Sequence, residues 1–189
     1  MAADQPAVPP TDPPLPRLTA ELERAERLDP LASIYDRISR TVVPSPGRVR
    51  DELRGRSVGH PVHSVLTDLP IGLWTSAVAL DVTRPPGHAD AARRLVGLGL
   101  LAAPPTALTG LADFRALSVR ARRVAVVHAT CNGVGTLLAL ASWGARRRGR
   151  TGLGTLLSLA GMGAVGAGGY LGGHLAQAMR EPRHVPGSR

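Results

Sequence analysis

Four stretches of the chain are apolar over roughly the length of a membrane crossing: Val62–Val82, Leu95–Ala112, Val124–Trp143 and Gly152–Leu175. A helix needs about 20 largely apolar residues to span the hydrocarbon core, and the second to fourth stretches carry no polar face at amphipathic spacing. The pattern predicts an all-α fold, an integral membrane four-helix bundle with short loops. Upstream the pattern changes. Residues 1–16 are Pro-rich and acidic, which predicts a disordered leader. Thr19 reads as the N-cap of a short charged helix through about Leu28, and Asp29-Pro30 starts another. There Leu31, Ile34, Tyr35, Ile38 and Val42 recur at helical spacing, an amphipathic helix expected on the membrane surface or against the bundle. Pro44-Ser45-Pro46-Gly47 ends it. The expected division is a leader and surface helix over residues 1–46, the membrane domain over 47–176 and a basic tail over 177–189.

Asp51–Ser57 leads in, and His60-Pro61 opens the first spanning helix. A loop over Arg84–Asp90, containing His88, follows that helix. Pro104-Pro105 should kink or break the second helix, with Thr106 and Thr109 placed to satisfy the freed carbonyls. In the fourth, Gly168/Gly172 and Gly169/Gly173 have the four-residue spacing of close helix packing. No strand precedes this glycine run, so it is not a nucleotide loop.

Composition changes the picture little. A hydrophobic fraction of 43% and a mean hydropathy of +0.02 would suit a soluble protein, but the polar first third dilutes an apolar remainder. The net charge of +9 comes from arginine alone. These arginines gather at helix ends (Arg84, Arg93-Arg94, Arg120–Arg123, Arg146–Arg150), where headgroup contact is expected rather than nucleic acid. They are slightly more numerous on the side carrying both tails, which favours cytoplasmic termini. The single cysteine, Cys131, excludes an intramolecular disulfide and a covalent haem motif. No signal peptide pattern opens the sequence, so the first spanning helix is expected to direct insertion.

Because alternate passes run in opposite directions, His60, His63, His128 and His174 fall at one side of the bilayer, with Asp68 and Asp113 nearby. Ionisable groups at membrane depth are costly and usually functional. On the first helix His60, His63, Thr67, Ile71 and Trp74 share a face, whereas Asp68 points elsewhere. On the third, His128, Asn132, Gly135, Ala139 and Ser142 form a polar or small stripe suited to the interior. His174 lines up with Tyr170 and Ala167, while His88 and His184 read as solvent-exposed.

Three readings compete for this cluster. The imidazoles can serve as interhelical glue in a non-catalytic anchor or assembly protein. They can ligate haem b, with His63 and His128 the foremost axial pair, His60 and His174 next, and electrons passing to a partner. Or the four histidines, with carboxylates, can hold Zn, Cu or Fe. Asp113 would orient an imidazole or pair with Arg115, Arg122 or Arg123; Asp68 is the candidate proton-exchanging group; Asn132 and Trp74 are supporting residues. No metalloprotease spacing, nucleophile elbow or catalytic cysteine pattern occurs, so an electron-transfer or structural subunit is expected rather than an enzyme.

The runs Gly59-His60-Pro61-Val62-His63, Leu69-Pro70-Ile71-Gly72-Leu73-Trp74 and Asp81 resemble the opening of a bacterial membrane family known as domain of unknown function 2231. Gly110-Leu111-Ala112-Asp113, His128-Ala129-Thr130-Cys131-Asn132 and Gly169-Tyr170-Leu171-Gly172-Gly173-His174-Leu175 look like its later motifs, in order, over about residues 50–176. The family name supplies no activity. Its members occur beside or fused to Rieske iron–sulfur domains, which implies a redox setting. This sequence carries no Rieske cysteine–histidine motif, so the resemblance implies a separate iron–sulfur or other redox partner. Ser64 stands where many members have a proline.

Overall fold

The structure is a computed structural model that describes residues 14–43 and 47–181. Among the described residues there are only helices and turns: α1 (Pro14–Arg24), α2 (Asp29–Val42), α3 (Arg48–Leu53), α4 (Val62–Thr83), α5 (His88–Phe114), α6 (Val119–Arg147) and α7 (Thr151–Gly173). The last four are long and apolar enough to cross a membrane. A π-helical turn, His174–Ala178, continues α7. All four predicted spans are present, and α5 and α6 run past their apolar stretches into polar ends.

Two hairpins make up the bundle. α4 packs chiefly on α5 and α6 chiefly on α7. The hairpins meet along α5–α6 and more sparsely along α4–α7, so α4 and α6 stand diagonally opposed. Tight turns close both hairpins. In the first, Arg84 and Gly87 have positive φ (50° and 75°) around Pro85-Pro86; in the second, Gly149 has φ 74°. Glycine adopts that region without the clash a Cβ brings. The serine side chain of Ser118 caps α6, accepting from the Ala121 N–H at 3.3 Å. Small residues allow close approach within each hairpin: Ala77 and Ala92 are fully buried in the first. In the second the Ser142 hydroxyl donates to the Gly154 carbonyl at 2.6 Å.

Several local expectations are corrected. Thr19 lies within α1 rather than at its start, its hydroxyl donating to the Pro16 carbonyl at 3.0 Å. Residues 14–16 belong to that helix, and the rest of the expected leader, like Pro44–Pro46 and His184, falls outside the described residues. His88 is not in a loop; it begins α5, with Nδ1 3.0 Å from the Pro85 carbonyl. Pro104-Pro105 does not break α5, which is continuous to Phe114. The prolines leave the Leu100 and Leu101 carbonyls without their helical donors, yet the threonines serve other groups. Thr106 reaches the Ala102 and Leu66 carbonyls (2.9 and 3.2 Å), and Thr109 the Thr106 carbonyl (2.8 Å). Thr106 thereby ties α5 to α4.

The amphipathic helix lies against the bundle. Ala32 of α2 is buried with Phe114, Ala121, Val124, Ala125, Leu171 and Leu175, and Leu28, Leu31 and Tyr35 pack on that cluster. Ser39 is fully buried and donates to the Leu111 carbonyl at 2.8 Å. Arg123, expected at the headgroups, instead makes two bonds to the Asp29 carboxylate (2.7 and 2.8 Å) and one to the Glu23 carbonyl (3.1 Å). Ile34, Ile38 and Val42 remain on the outer face of α2.

Candidate functional site: a histidine pair between diagonal helices

The first turn of α4 and the third turn of α6 lie on the same side of the bundle, and each aims an imidazole inward. The rings of His63 and His128 stand 6.3 Å apart between centroids, at 84° to one another. His63 Nδ1 lies 3.0 Å from the Thr106 carbonyl of α5, and His128 Nδ1 lies 2.7 Å from the Gly168 carbonyl of α7. A carbonyl oxygen only accepts, so each Nδ1 carries the hydrogen and each Nε2 keeps its lone pair. Asn132, one turn below His128, brings its amide nitrogen within 3.2 Å of that Nε2. Each ring rests on a glycine: a Cβ at Gly110 would sit 2.8 Å from His63 Cε1, and one at Gly172 would sit 2.9 Å from His128 Cε1. Any side chain at those glycines would push the imidazole from its place.

The other members of the predicted cluster go elsewhere. His60 is exposed ahead of α4, its Nδ1 3.3 Å from the Val58 carbonyl. His174 Nε2 lies 2.9 Å from the Glu23 carboxylate of α1 rather than facing the pair. Asp113 is buried but accepts from Arg54 Nε at 3.4 Å, not from an imidazole or from Arg115, Arg122 or Arg123. Asp68 is exposed on the outer face of α4, away from both histidines. Trp74 is buried three turns deeper, where its indole N–H donates to the Val96 carbonyl at 3.2 Å over Gly99. Among the described residues no group of three or more His, Cys, Asp or Glu side chains converges as a metal cage. What the fold brings together is two imidazoles with Asn132, not four. The interior stripe His128, Asn132, Gly135, Ala139, Ser142 holds: its last three members are buried. Of the fourth-helix glycines, Gly168 and Gly172 meet Asn132 and His128, while Gly169 and Gly173 touch nothing.

A second polar centre at the far end of the bundle escaped the sequence reading. Arg146, expected at the headgroups, is buried with Asp81, each side chain 1% exposed. Arg146 Nη1 donates to Asp81 Oδ1 at 3.0 Å and Nη2 to Oδ2. Ser142 and Ser158 accept from the same guanidinium at 3.2 and 3.3 Å. The signal available was one acidic residue near the end of the first span and an arginine at the end of the third, which fall on the same side.

Four spanning helices around a half-buried pair of imidazoles define an integral membrane helix-bundle protein. The chain belongs to the family described as predicted membrane protein DUF2231, whose family model matches residues 59–180. That match begins after α3, so α1–α3 lie outside it. No curated protein and no solved structure matches the chain.

Proposed function

We propose that this protein is a redox-associated membrane subunit that holds haem b between His63 and His128 and passes electrons to a partner. The observation that carries the reading is the ring pair. Metal–nitrogen bonds of about 2.0–2.1 Å, with about 1.1 Å from nitrogen to ring centre, put two imidazoles on opposite sides of one metal ion about 6 Å apart between centroids. The pair stands at 6.3 Å. The second support is the unprotonated Nε2 of each ring, the form that ligates; on His128 that lone pair faces the Asn132 amide at 3.2 Å, which would have to give way to a metal. The separate partner, a Rieske iron–sulfur or other redox protein, follows from the family resemblance. Placement in a bacterial cytoplasmic membrane with cytoplasmic termini belongs to the same proposal.

The test is the visible spectrum of protein purified in mild detergent from haem-replete cells. A Soret band with reduced α and β bands is expected, lost in His63→Ala and His128→Ala and kept in His60→Ala and His174→Ala. A colourless protein, or full haem retention in both His63→Ala and His128→Ala, overturns the proposal. Metal analysis of the same sample separates out a bare Zn, Cu or Fe ion on the same two ligands, which would replace haem in this reading.

One observation favours a second reading, the non-catalytic anchor or assembly protein. Both imidazoles already bond a carbonyl on the neighbouring helix, which is what interhelical glue does. A stable, colourless, metal-free protein that loses thermal stability in His63→Ala and His128→Ala would establish it.

A further inference from the structure

The two hairpins repeat one another. The step along the chain that takes His63 to His128 also takes Ala77 to Ser142 and Asp81 to Arg146. The step that takes Gly110 to Gly172 also takes Thr106 to Gly168, Gly99 to Gly161 and Ala92 to Gly154. Contacts repeat with the residues. His63 bonds the Thr106 carbonyl and rests on Gly110; His128 bonds the Gly168 carbonyl and rests on Gly172. Ala77 and Ala92 are both fully buried in one hairpin, where Ser142 bonds Gly154 in the other. α4 and α6 run the same way, as do α5 and α7, so the repeats are parallel and their two-fold axis runs along the bundle, as in other membrane proteins built from parallel repeats. Residues that correspond across the axis meet each other at both ends: His63 with His128, and Asp81 with Arg146.

We infer that the histidine centre is made of two equivalent half-sites, one per hairpin, each consisting of a histidine, the backbone carbonyl that fixes its tautomer and the glycine that seats its ring. The ligand class follows from this. It is a single centre between the two rings that would take an Nε2 lone pair from each, such as a metal ion that His63 and His128 would hold. The Thr106 and Gly168 carbonyls are positioning groups. They act before any ligand arrives, because an Nδ1–H···O=C bond selects the Nδ1–H tautomer over the Nε2–H form and leaves Nε2 as the donor. The halves differ at Thr67 and Asn132, which also correspond. Asn132 reaches the His128 ring while Thr67 does not reach that of His63, and Thr109, matched by Leu171, brings its hydroxyl within 3.4 Å of His63 Nδ1, so at these positions the two half-sites are not interchangeable.

The ligand chemistry rests on the function proposed above, whereas the half-sites do not, and the experiment separates them. Ligand-free protein, stripped of metal and haem and reconstituted in lipid nanodiscs, is labelled with nitrogen-15 at histidine and its ring nitrogens recorded by NMR. His63 and His128 are both expected as Nδ1–H tautomers, with an unprotonated Nε2. Gly110→Ala should move the His63 signals alone, and Gly172→Ala those of His128 alone. An Nε2–H tautomer at either ring in the wild-type protein, which needs no variant to fold, overturns the inference. So does a glycine variant that moves the opposite hairpin's ring as much as its own. A wild-type protein that never takes up haem defeats the haem reading but leaves these tautomers as the separate measure of the half-sites.

Discussion

Removing the guanidinium of Arg146 should be among the most damaging single changes in the bundle. Asp81 and Arg146 are each 1% exposed in their side chains, and the arginine supplies donors to Asp81, Ser142 and Ser158 together. Arg146→Ala would leave a buried carboxylate without its charge partner and open space beside Gly154, against which the arginine stem lies. Breaking a buried ion pair from one side costs about 3–5 kcal/mol. For a chain of this size about 2–4 °C of midpoint accompanies each kcal/mol, so the thermal midpoint should fall by roughly 6–20 °C. Intrinsic fluorescence in detergent reads this directly, because Trp74 lies in the core and Trp143 sits near the pair with Arg147 over its ring at 4.8 Å. The charge-free double replacement Asp81→Leu/Arg146→Met is the control. Buried pairs exchanged for apolar residues of similar volume are often neutral or stabilising by about 1–4 kcal/mol. A midpoint shift below about 2 °C in Arg146→Ala refutes the reasoning about buried charge. An equal fall in the double variant would mean that packing, not the stranded carboxylate, carries the effect.

At Gly99 a Cβ would run into the Trp74 indole, so Gly99→Ala should cost about 1–3 kcal/mol by overpacking and change the near-ultraviolet circular dichroism of Trp74. Docking of α2 should depend on pH. The hydrogen bond from Arg123, reinforced by its charge, holds the Asp29 carboxyl below its usual 3.8. A carboxyl depressed in the folded state stabilises above its unfolded value and loses that contribution as pH falls through the folded one. The protection of residues 29–42, taken as exchange relative to the intrinsic rate at each pH, should therefore stay high at pH 6 and fall below about pH 4, with Asp29→Asn removing most of the difference. Ser39→Ala, which strands the Leu111 carbonyl bond, should loosen the same helix by about 0.5–1.5 kcal/mol at every pH, read by the same exchange.

The number, order and approximate limits of the spanning helices were legible in the sequence, because apolar length alone decides whether a segment can leave water. The inward stripe of α6 was legible too: a straight helix fixes which residues share a face, and His128, Asn132, Gly135 and Ala139 share one. Helical counting also put His63 and Trp74 on one face of α4 and turned Asp68 away. It could not decide partners. Depth and shared faces put His63 and His128 forward as the foremost pair, with His60 and His174 beside them, but only the tertiary structure turned His60 out to solvent and gave His174 to another helix. His174 was taken by Glu23 because α1 docks on α6 within reach of the turn that follows α7, a contact across most of the chain that no local pattern records. Arg123 and Arg146 looked like headgroup arginines because helix ends usually meet lipid. Tertiary structure instead set a carboxylate opposite each, and a buried guanidinium is held only where such a partner exists. Two hairpins related by a two-fold bring corresponding residues together on the axis, so the histidine pair is a property of how the halves assemble and not of either half alone.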